Sequence, residues 1–252
     1  MKKFFSLGLI LILLLSAETL AEHSWYDSAA EKFINLGAIS IQDDMNANIT
    51  RLEFASIVNV ALGYLKNGCA MVEFDNSYRF NDIGADDLYR DQFLIARSMG
   101  ILQGDQNNNA NPFNLLTRSE VAVVIARIIG IEIKNMDIAS DFYDDIDLPD
   151  WARSSILALT KSGYLKGDTA NNFRPTAPIT RAEFVVLLDR VLGEIIKQDS
   201  KINNKHYTGN VTIIGDNVSI TNTTISGNLL ITQAAKDVEM VNLTIGKDLI
   251  YK

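Results

Sequence analysis

A four-residue pattern, Thr-Arg-x-Glu, occurs three times in this chain of 252 residues, and an apolar stretch follows it each time. The copies lie 67 and 63 residues apart and begin at Thr50, Thr117 and Thr180. A second series lies upstream of them at intervals of 63 residues: Trp25, Leu88 and Trp151. A fixed period of this length predicts a supersecondary unit that is repeated three times.

Each repeat is predicted to consist of a helix, a loop and a second helix. Behind each Thr-Arg-x-Glu motif, apolar residues recur at positions i, i+3, i+4, i+7 and i+8, which predicts one buried helix face. In the third copy these residues are Phe184, Leu187, Leu188, Val191 and Leu192. The first helix of each repeat is expected to start at the Trp or Leu of the upstream series. The predicted N-caps of these first helices are Ser24, Asp87 and Asp150.

The motif combines residue types that act differently at a helix start. Thr and Glu predict a capping box, in which each side chain accepts a hydrogen bond from the other residue's backbone amide. The Arg at the first helical position is disfavoured by the helix dipole. It would be explained by an anion bound between the guanidinium and free backbone N–H groups, or by a salt bridge between repeats. Both roles are compatible if the bridge exchanges for a ligand. The suggested bridge partner is the Asp of an aromatic-x-Asp-Ile stretch, found at residues 80–83 and 143–146.

Charge and composition limit the classes of function. The formal net charge of −8 argues against nucleic acid as the main partner. Residues 1–21 are interpreted as a signal peptide, because two lysines precede an apolar run and a small-residue cleavage site. No later stretch is long enough to span a membrane. The single Cys69 excludes an internal disulfide; it is interpreted as a half-buried linker residue, with a reactive thiol as the alternative.

A polar loop in the second repeat, residues 105–111, alternates Asp and Asn as calcium-binding loops do. However, Ala110 stands at the position of the glycine that such loops require, and Leu116 stands at the position of the bidentate Glu. The sequence therefore predicts no metal site and no other cofactor.

The pattern changes after the third repeat. Residues 195–207 are polar and are predicted to be a linker. Residues 208–252 then repeat short apolar strands with a period of 18–19 residues, which favours a parallel β-solenoid. So few coils bury little core by themselves. The segment is therefore expected either to dock on the helical part or to pair with a partner through an open strand edge.

The third copy carries the fullest set of motifs: Tyr143-Asp144-Asp145-Ile146, Asp150-Trp151-Ala152, Gly163-Tyr164-Leu165-Lys166-Gly167-Asp168, Phe173-Arg174-Pro175 and Ile179-Thr180-Arg181-Ala182-Glu183. This set resembles the S-layer homology family. The other copies depart from it, since Leu88 replaces Trp in the second and the Gly-Asp loop is missing from the first. The resemblance divides the chain into repeats at 22–68, 69–134 and 135–194. It implies a mainly α fold, in which three helix-loop-helix repeats form a pseudo-threefold spindle before a short β-solenoid-like segment.

The resemblance also implies a function at the cell surface. It implies that the exported protein attaches without a covalent bond to a cell-wall polysaccharide, often one that bears ketal-linked pyruvate. The implied binding residues are the motif arginines, the helix-start tryptophans and the loop Gly-Asp pairs: Arg51, Arg118, Arg181, Trp25, Trp151, Gly104, Asp105, Gly167 and Asp168. The flanking differences predict unequal sites, with the third copy as the best candidate.

Three functions are compatible with these features. The first is a cell-wall anchor that is not an enzyme. The second is a structural envelope component that self-associates through its C-terminal strands. The third is a secreted enzyme acting on polysaccharide, against which the strand segment shows no acid/base pair of the kind that glycoside hydrolysis uses.

Overall fold

The computed structural model describes residues 24–131 and 140–252. The predicted signal peptide, and the predicted boundary between repeats at residues 134 and 135, lie outside these ranges. The helices of the described chain are α1 (Asp27–Leu36), α2 (Arg51–Ala61), α3 (Arg90–Ser98), α4 (Arg118–Ile128), α5 (Asp150–Lys161) and α6 (Arg181–Leu192). A hairpin of β1 (Leu65–Lys66) and β2 (Cys69–Ala70) follows α2. Cys69 is exposed there, and not half-buried as predicted. Within the described ranges, no helix is long and apolar enough to cross a bilayer.

The Thr-Arg-x-Glu motifs start α2, α4 and α6 with complete capping boxes. In α2, the Thr50 hydroxyl accepts a hydrogen bond from the Glu53 amide at 3.2 Å. The Glu53 carboxylate accepts one from the Thr50 amide at 2.9 Å. The same reciprocal bonds occur in the other two copies. The predicted capping boxes are therefore confirmed.

The N-caps predicted for the other helices are wrong: Ser24, Asp87 and Asp150. Helices α1 and α3 begin at Asp27 and Arg90, two residues later than predicted, and Asp150 is itself the first residue of α5. Asp87 cannot cap α3, because its carboxylate accepts from the amide of Gly84, three residues before it, at 2.7 Å. The side chain therefore closes a turn ahead of the helix.

The helices pack in a ring that crosses the repeat boundaries. The first helix of the second repeat, α3, packs against α2, and the first helix of the third repeat, α5, packs against α4. The ring closes because α1, from the first repeat, packs against α6, from the third. Each helix pair therefore joins two repeats. The pseudo-threefold spindle as a whole stays a prediction. A spindle with pseudo-threefold symmetry would require a ring of such helix pairs.

The motifs of the three repeats also contact one another. Single β-bridges pair Thr50 with Leu115, Thr117 with Pro178, and Asn48 with Thr180. Behind the motifs, the buried rings of Phe54 and Phe184 lie 4.9 Å apart and join α2 to α6. The three helix starts thus surround one shared core.

The C-terminal part is a stack of parallel β-coils. Its strands are β3 (Glu194–Ile196), β4 (Lys201–Asn203), β5 (His206–Tyr207), β6 (Val211–Ile213), β7 (Val218–Ile225), β8 (Leu229–Ile231), β9 (Val238–Ile245) and β10 (Leu249–Tyr251). Strands β3, β6, β8 and β10 form one parallel sheet, and β4, β5, β7 and β9 form the other. Apolar side chains from both sheets share a small core of their own, which includes Val211, Ile220 and Ile231.

The linker predicted at residues 195–207 is wrong, because this segment forms the first coil. Strand β3 follows α6 directly after Gly193. Strands β3, β4 and β5 then pair in register with the second coil. The polar composition misleads because the turns and outward positions of a coil are polar: Lys197, Asp199 and Ser200 lie between β3 and β4.

The coils dock on the helical part, which is one of the two predicted outcomes. The Tyr164 hydroxyl accepts hydrogen bonds from the side-chain amides of Asn210 at 2.8 Å and Asn228 at 3.1 Å. All three residues are buried. Leu230 and Ala234 of the coils belong to the same apolar core as the helices. The junction is therefore closed by both packing and hydrogen bonds.

Candidate functional site

The motif arginines occupy the first helical position, but the backbone amides beside them are already bonded. The amides of Arg51 and Leu52 donate to the carbonyls of Asn114 and Pro112, both at 2.9 Å. The equivalent amides of α4 and α6 likewise donate to loop carbonyls of the next repeat in the ring. The predicted anion site with free N–H groups is therefore wrong. Only the guanidinium groups remain to hold an anion.

Each motif arginine forms an ion pair with the capping-box Glu of the next repeat. The pairs are Arg51–Glu120 at 3.8 Å, Arg118–Glu183 at 2.8 Å, and Arg181–Glu53. Each guanidinium also donates to a backbone carbonyl of that repeat. The predicted salt bridge between repeats therefore exists, but its partner is the capping Glu and not the suggested Asp.

The Asp of the aromatic-x-Asp stretch has a structural role instead. Asp82 accepts hydrogen bonds from the amides of Ala110 and Asn111, both at 2.7 Å. Asp144 accepts from the two equivalent amides of the third repeat at 2.7 and 2.6 Å. These carboxylates hold the loop that leads to the next motif. They do not contact the motif arginines directly.

The predicted register of this stretch in the third repeat is one residue late. Asp144, and not Asp145, makes the bonds that correspond to those of Asp82. Phe142 fills the aromatic position in the core, whereas Tyr143 is exposed. The sequence favoured the later register because Ile146 completes the aromatic-x-Asp-Ile pattern there, whereas the observed register has Asp145 in place of the Ile.

Arg51 is the most accessible of the three arginines. Its side chain is 14% exposed, against 10% for Arg118 and 9% for Arg181. Its ion pair with Glu120 is also longer than the Arg118–Glu183 pair, at 3.8 Å against 2.8 Å. At 3.8 Å the charges attract each other without a hydrogen bond. The Arg51 pair is therefore the easier one to open.

The surroundings of Arg51 keep it charged but poorly solvated. Burial lowers the pKa of Arg51 from its ordinary value, while the carboxylates of Glu120, Asp105 and Asp82 raise it. A guanidinium stays protonated at neutral pH in either case. Because it has lost part of its hydration, it interacts more strongly with a nearby anion than it would in bulk water.

A cavity of about 580 Å³ opens beside Arg51 and brings together residues of three repeats. Its lining includes Arg51 from the first repeat, Gly104 and Asp105 from the second, and Trp151 from the third. Trp151 is exposed at the start of α5, which packs against α4. Four of the predicted binding residues thus meet in one place, here called the Arg51 cavity. Which copy is the best candidate stays a prediction, but no single repeat builds this cavity.

The other predicted residues occupy equivalent places in the ring. Burial lowers the pKa of Arg118, and the nearby Asp168 carboxylate raises that pKa to a smaller extent. Trp25 is exposed near the start of α1, the helix that packs against α6. Arg181 is buried, and its Glu partner lies on α2. Helix α3 packs against α2, and it is preceded by Leu88 instead of Trp. The three positions therefore offer different groups to a ligand.

The loop Gly-Asp pairs shape the wall of these sites. A Cβ on Gly104 would lie 3.0 Å from Asn108, and Gly167 is equally crowded by its own loop. The Asp105 carboxylate accepts from the amides of Asn107 and Asn109, both at 2.8 Å. These hydrogen bonds lower the pKa of Asp105, and the bond from the Asn109 amide has the largest effect. Within residues 24–131 and 140–252, no group of three or more His, Cys, Asp or Glu side chains could hold a metal ion.

One charged residue of the cavity was missing from the sequence prediction. Arg127 lines the Arg51 cavity from α4, seven residues after Glu120. Residues at i and i+7 share a face of a helix, so the spacing from the capping Glu is a signal that could have found it. The sequence alone did not show that this face would stay uncovered.

Comparison with known proteins identifies the family. Residues 142–185 match the family model of the S-layer homology domain. The match runs from the buried Phe142 to beyond the capping box of α6. The chain therefore contains an S-layer homology domain. Since the model matches one copy, the three tandem repeats stay a prediction.

Relatives contain the similar region within much longer chains. The Surface-layer 125 kDa protein of Lysinibacillus sphaericus is 30% identical over 176 residues, which cover 66% of this chain and 14% of that protein. The Cellulosome-anchoring protein of Acetivibrio thermocellus is 30% identical over 148 residues, 58% of this chain and 32% of that protein. The Amylopullulanase of Thermoanaerobacterium thermosulfurigenes is 30% identical over 164 residues, 63% of this chain and 8% of that protein. This chain thus spans less than two thirds of each relative. The domain and its relatives identify a secreted protein of the cell surface.

Proposed function

We propose that this protein anchors to the cell wall by binding an anionic, pyruvylated wall polysaccharide in the Arg51 cavity. The observation that carries the proposal is the meeting of a partly desolvated guanidinium and an exposed Trp ring in one cavity. The relatives agree with an attachment role, since one is a surface-layer protein and another is named for anchoring. A similar region also occurs in an amylopullulanase, so it is shared by enzymes and proteins that are not enzymes.

The ligand chemistry follows from two of the groups that line the cavity, the Arg51 guanidinium and the Trp151 ring. Nε and Nη2 of Arg51 already donate to the carbonyls of Ala110 and Gln103, so the carboxylate of a pyruvate ketal would accept from Nη1, the nitrogen that faces Glu120. The apolar face of the sugar ring, or the methyl group of the ketal, then packs against the ring of Trp151. A neutral sugar would keep the second contact and lose the first. The cavity therefore discriminates by charge.

Ligand binding can open the Arg51–Glu120 pair without loss of the helix cap. Oε2 of Glu120 accepts hydrogen bonds from the Thr117 amide at 2.8 Å and the Thr117 hydroxyl at 2.9 Å. It is the other oxygen, Oε1, that lies 3.8 Å from Arg51. A ligand carboxylate can replace Oε1 at the guanidinium while Oε2 still caps α4. The arginine thus serves both the fold and the binding site.

The test is co-sedimentation of the protein with purified wall sacculi in three forms. One form is untreated, one is stripped of its secondary polysaccharide, and one is treated with mild acid to hydrolyse the pyruvate ketals. We expect the protein to pellet with the untreated sacculi only. Undiminished binding to stripped walls would contradict the proposal that the protein binds the polysaccharide. Undiminished binding after mild acid would contradict the proposal that it recognises the pyruvate ketal.

Two variants locate the binding in the Arg51 cavity. Arg51→Gln and Trp151→Ala should each weaken binding about tenfold or more, as expected for loss of a charged hydrogen bond or a large aromatic contact. Leu88→Ala is the matched control, since Leu88 is exposed at the position that corresponds to Trp151. It should bind like the native chain. If both cavity variants keep native binding and native circular dichroism, the cavity is not the site.

A further inference from the structure

A second cavity continues the Arg51 cavity along α4. It has a volume of about 460 Å³ and shares three lining residues with the first: Val123, Arg127 and Trp151. Glu120, Val123, Val124 and Arg127 all line the first cavity, and their spacing places them on one face of α4. One helix face therefore lies beside both adjoining cavities, which together are called the groove, and Trp151 lines both.

Arg127 lies where the two cavities meet, and its guanidinium is free. Within the described parts of the chain, it makes no hydrogen bond, ion pair or ring contact. In this it differs from Arg51, Arg118 and Arg181, each of which is held by a carboxylate. A cation in the last turn is favoured by the helix dipole. The dipole does not explain why this cation borders a groove, because Arg190 takes the equivalent place in α6 and lines neither cavity.

We propose that Arg127 forms a second anion-binding subsite. The groove would then bind a segment of the wall polymer that has acidic groups on more than one sugar. Arg51 pairs with Glu120, seven residues before Arg127, which corresponds to about 10 Å along α4 at 1.5 Å per residue. This is the spacing of the two positions along the helix backbone, and it places the two cations at different points of the groove. The ligand class is therefore an acidic oligosaccharide, with Trp151 packed against the sugar between the two charges. This inference rests on the proposed function, because it assigns a second contact to the same ligand.

The test uses calorimetric titration of the full chain with two purified fragments of the wall polymer. One fragment has a single repeating unit, and the other has three or more, both with their acidic groups intact. We expect the native protein to bind the longer fragment about tenfold more tightly, as one further charge-assisted contact would give. Arg127→Gln should abolish this preference, so that the two fragments bind with similar affinity. Arg127→Lys should restore part of the preference.

The variants separate this inference from the proposed function. Arg51→Gln should weaken both fragments, whereas Arg190→Gln, the matched exposed arginine of α6, should weaken neither. If Arg127→Gln binds the longer fragment as the native chain does, the second subsite is refuted while the Arg51 site stands. The same holds if the native chain shows no preference for length. If the native chain binds neither fragment, the proposed function itself fails.

Discussion

Removal of Arg118 should show how much the arginine ring contributes to stability. In the native structure, the Arg118 guanidinium donates to the Phe173 carbonyl at 2.7 Å and to the Glu183 carboxylate at 2.8 Å. It also lies 5.1 Å from the centre of the Phe173 ring. Arg118→Met keeps much of the aliphatic volume and removes all these polar contacts. The substitution therefore breaks the bridge between the second and third repeats while it largely preserves the packing.

The magnitude follows from the burial of the two acceptors. A hydrogen bond to a charged group contributes about 1.5–3 kcal/mol. Glu183 is one quarter exposed and is also paired with Arg174, so water and that second cation recover part of the loss. We therefore expect Arg118→Met to lower the free energy of unfolding by about 2–4 kcal/mol. Arg51→Met should cost about 1 kcal/mol less, because its ion pair is longer and lacks a hydrogen bond.

The assay is urea unfolding followed by far-ultraviolet circular dichroism, with a double-mutant cycle that adds Glu183→Gln. Gln at this position can still cap α6, so the cycle isolates the bridge. The coupling free energy should be about 1–2 kcal/mol. The reasoning is refuted if the coupling is below about 0.5 kcal/mol and Arg118→Met costs less than about 1 kcal/mol. In that case the ring of arginines would not hold the repeats together.

Three further predictions concern the junction and the acid limit of stability. Tyr164→Phe removes the hydroxyl that accepts from the buried Asn228 amide, so urea unfolding should show a loss of about 1–3 kcal/mol. Gly63→Ala should cost more than about 1 kcal/mol in the same assay, because Gly63 has φ +74° and a Cβ would overlap the Ile214 carbonyl. Burial raises the pKa of Glu53, but hydrogen bonds from the Thr amide and the partner arginine bring it below its ordinary value. Because the folded pKa is depressed, this stabilisation is present above the unfolded pKa of about 4.3 and is lost as the pH falls through the folded pKa. Glu53→Gln should therefore reduce the loss of stability that occurs as the pH falls below about 4.3, measured as the change in the urea midpoint with pH.

The parts of the fold that depend on local chemistry could be predicted from the sequence. The capping boxes at Thr50, Thr117 and Thr180 involve residues three positions apart, so the motif contains all of their partners. The helix faces behind them follow from a period of 3.6 residues. The first coil at residues 195–207 could not be recognised in this way. Short strands such as β3 and β4 leave few apolar positions to form a pattern, and they are defined by their pairing with the next coil.

The candidate site could be predicted residue by residue, but not as a site. Arg51, Asp105 and Trp151 were each expected to bind, although in separate repeats. Their meeting depends on α5 packing against α4 and on the loop of the second repeat reaching Arg51. The two helices lie more than twenty positions apart in the sequence, and the contacts of Arg51 with the loop join residues more than fifty positions apart. The repeat period fixes which residues are equivalent, and it does not fix which copies are neighbours in space.

The composite cavity gives a reason for the triple motif that neither capping nor ion pairing supplies alone. Arg51 reaches into the second repeat, and Trp151 of the third repeat completes the same cavity. One repeat by itself would therefore offer an arginine without the loop and the aromatic ring that accompany it. The ring closes only because α1 packs against α6, so the N-terminal and C-terminal repeats depend on each other. In the proposed function, binding and folding are coupled through the same guanidinium groups, and Arg51, whose ion pair at 3.8 Å lacks a hydrogen bond, is the one assigned to the ligand.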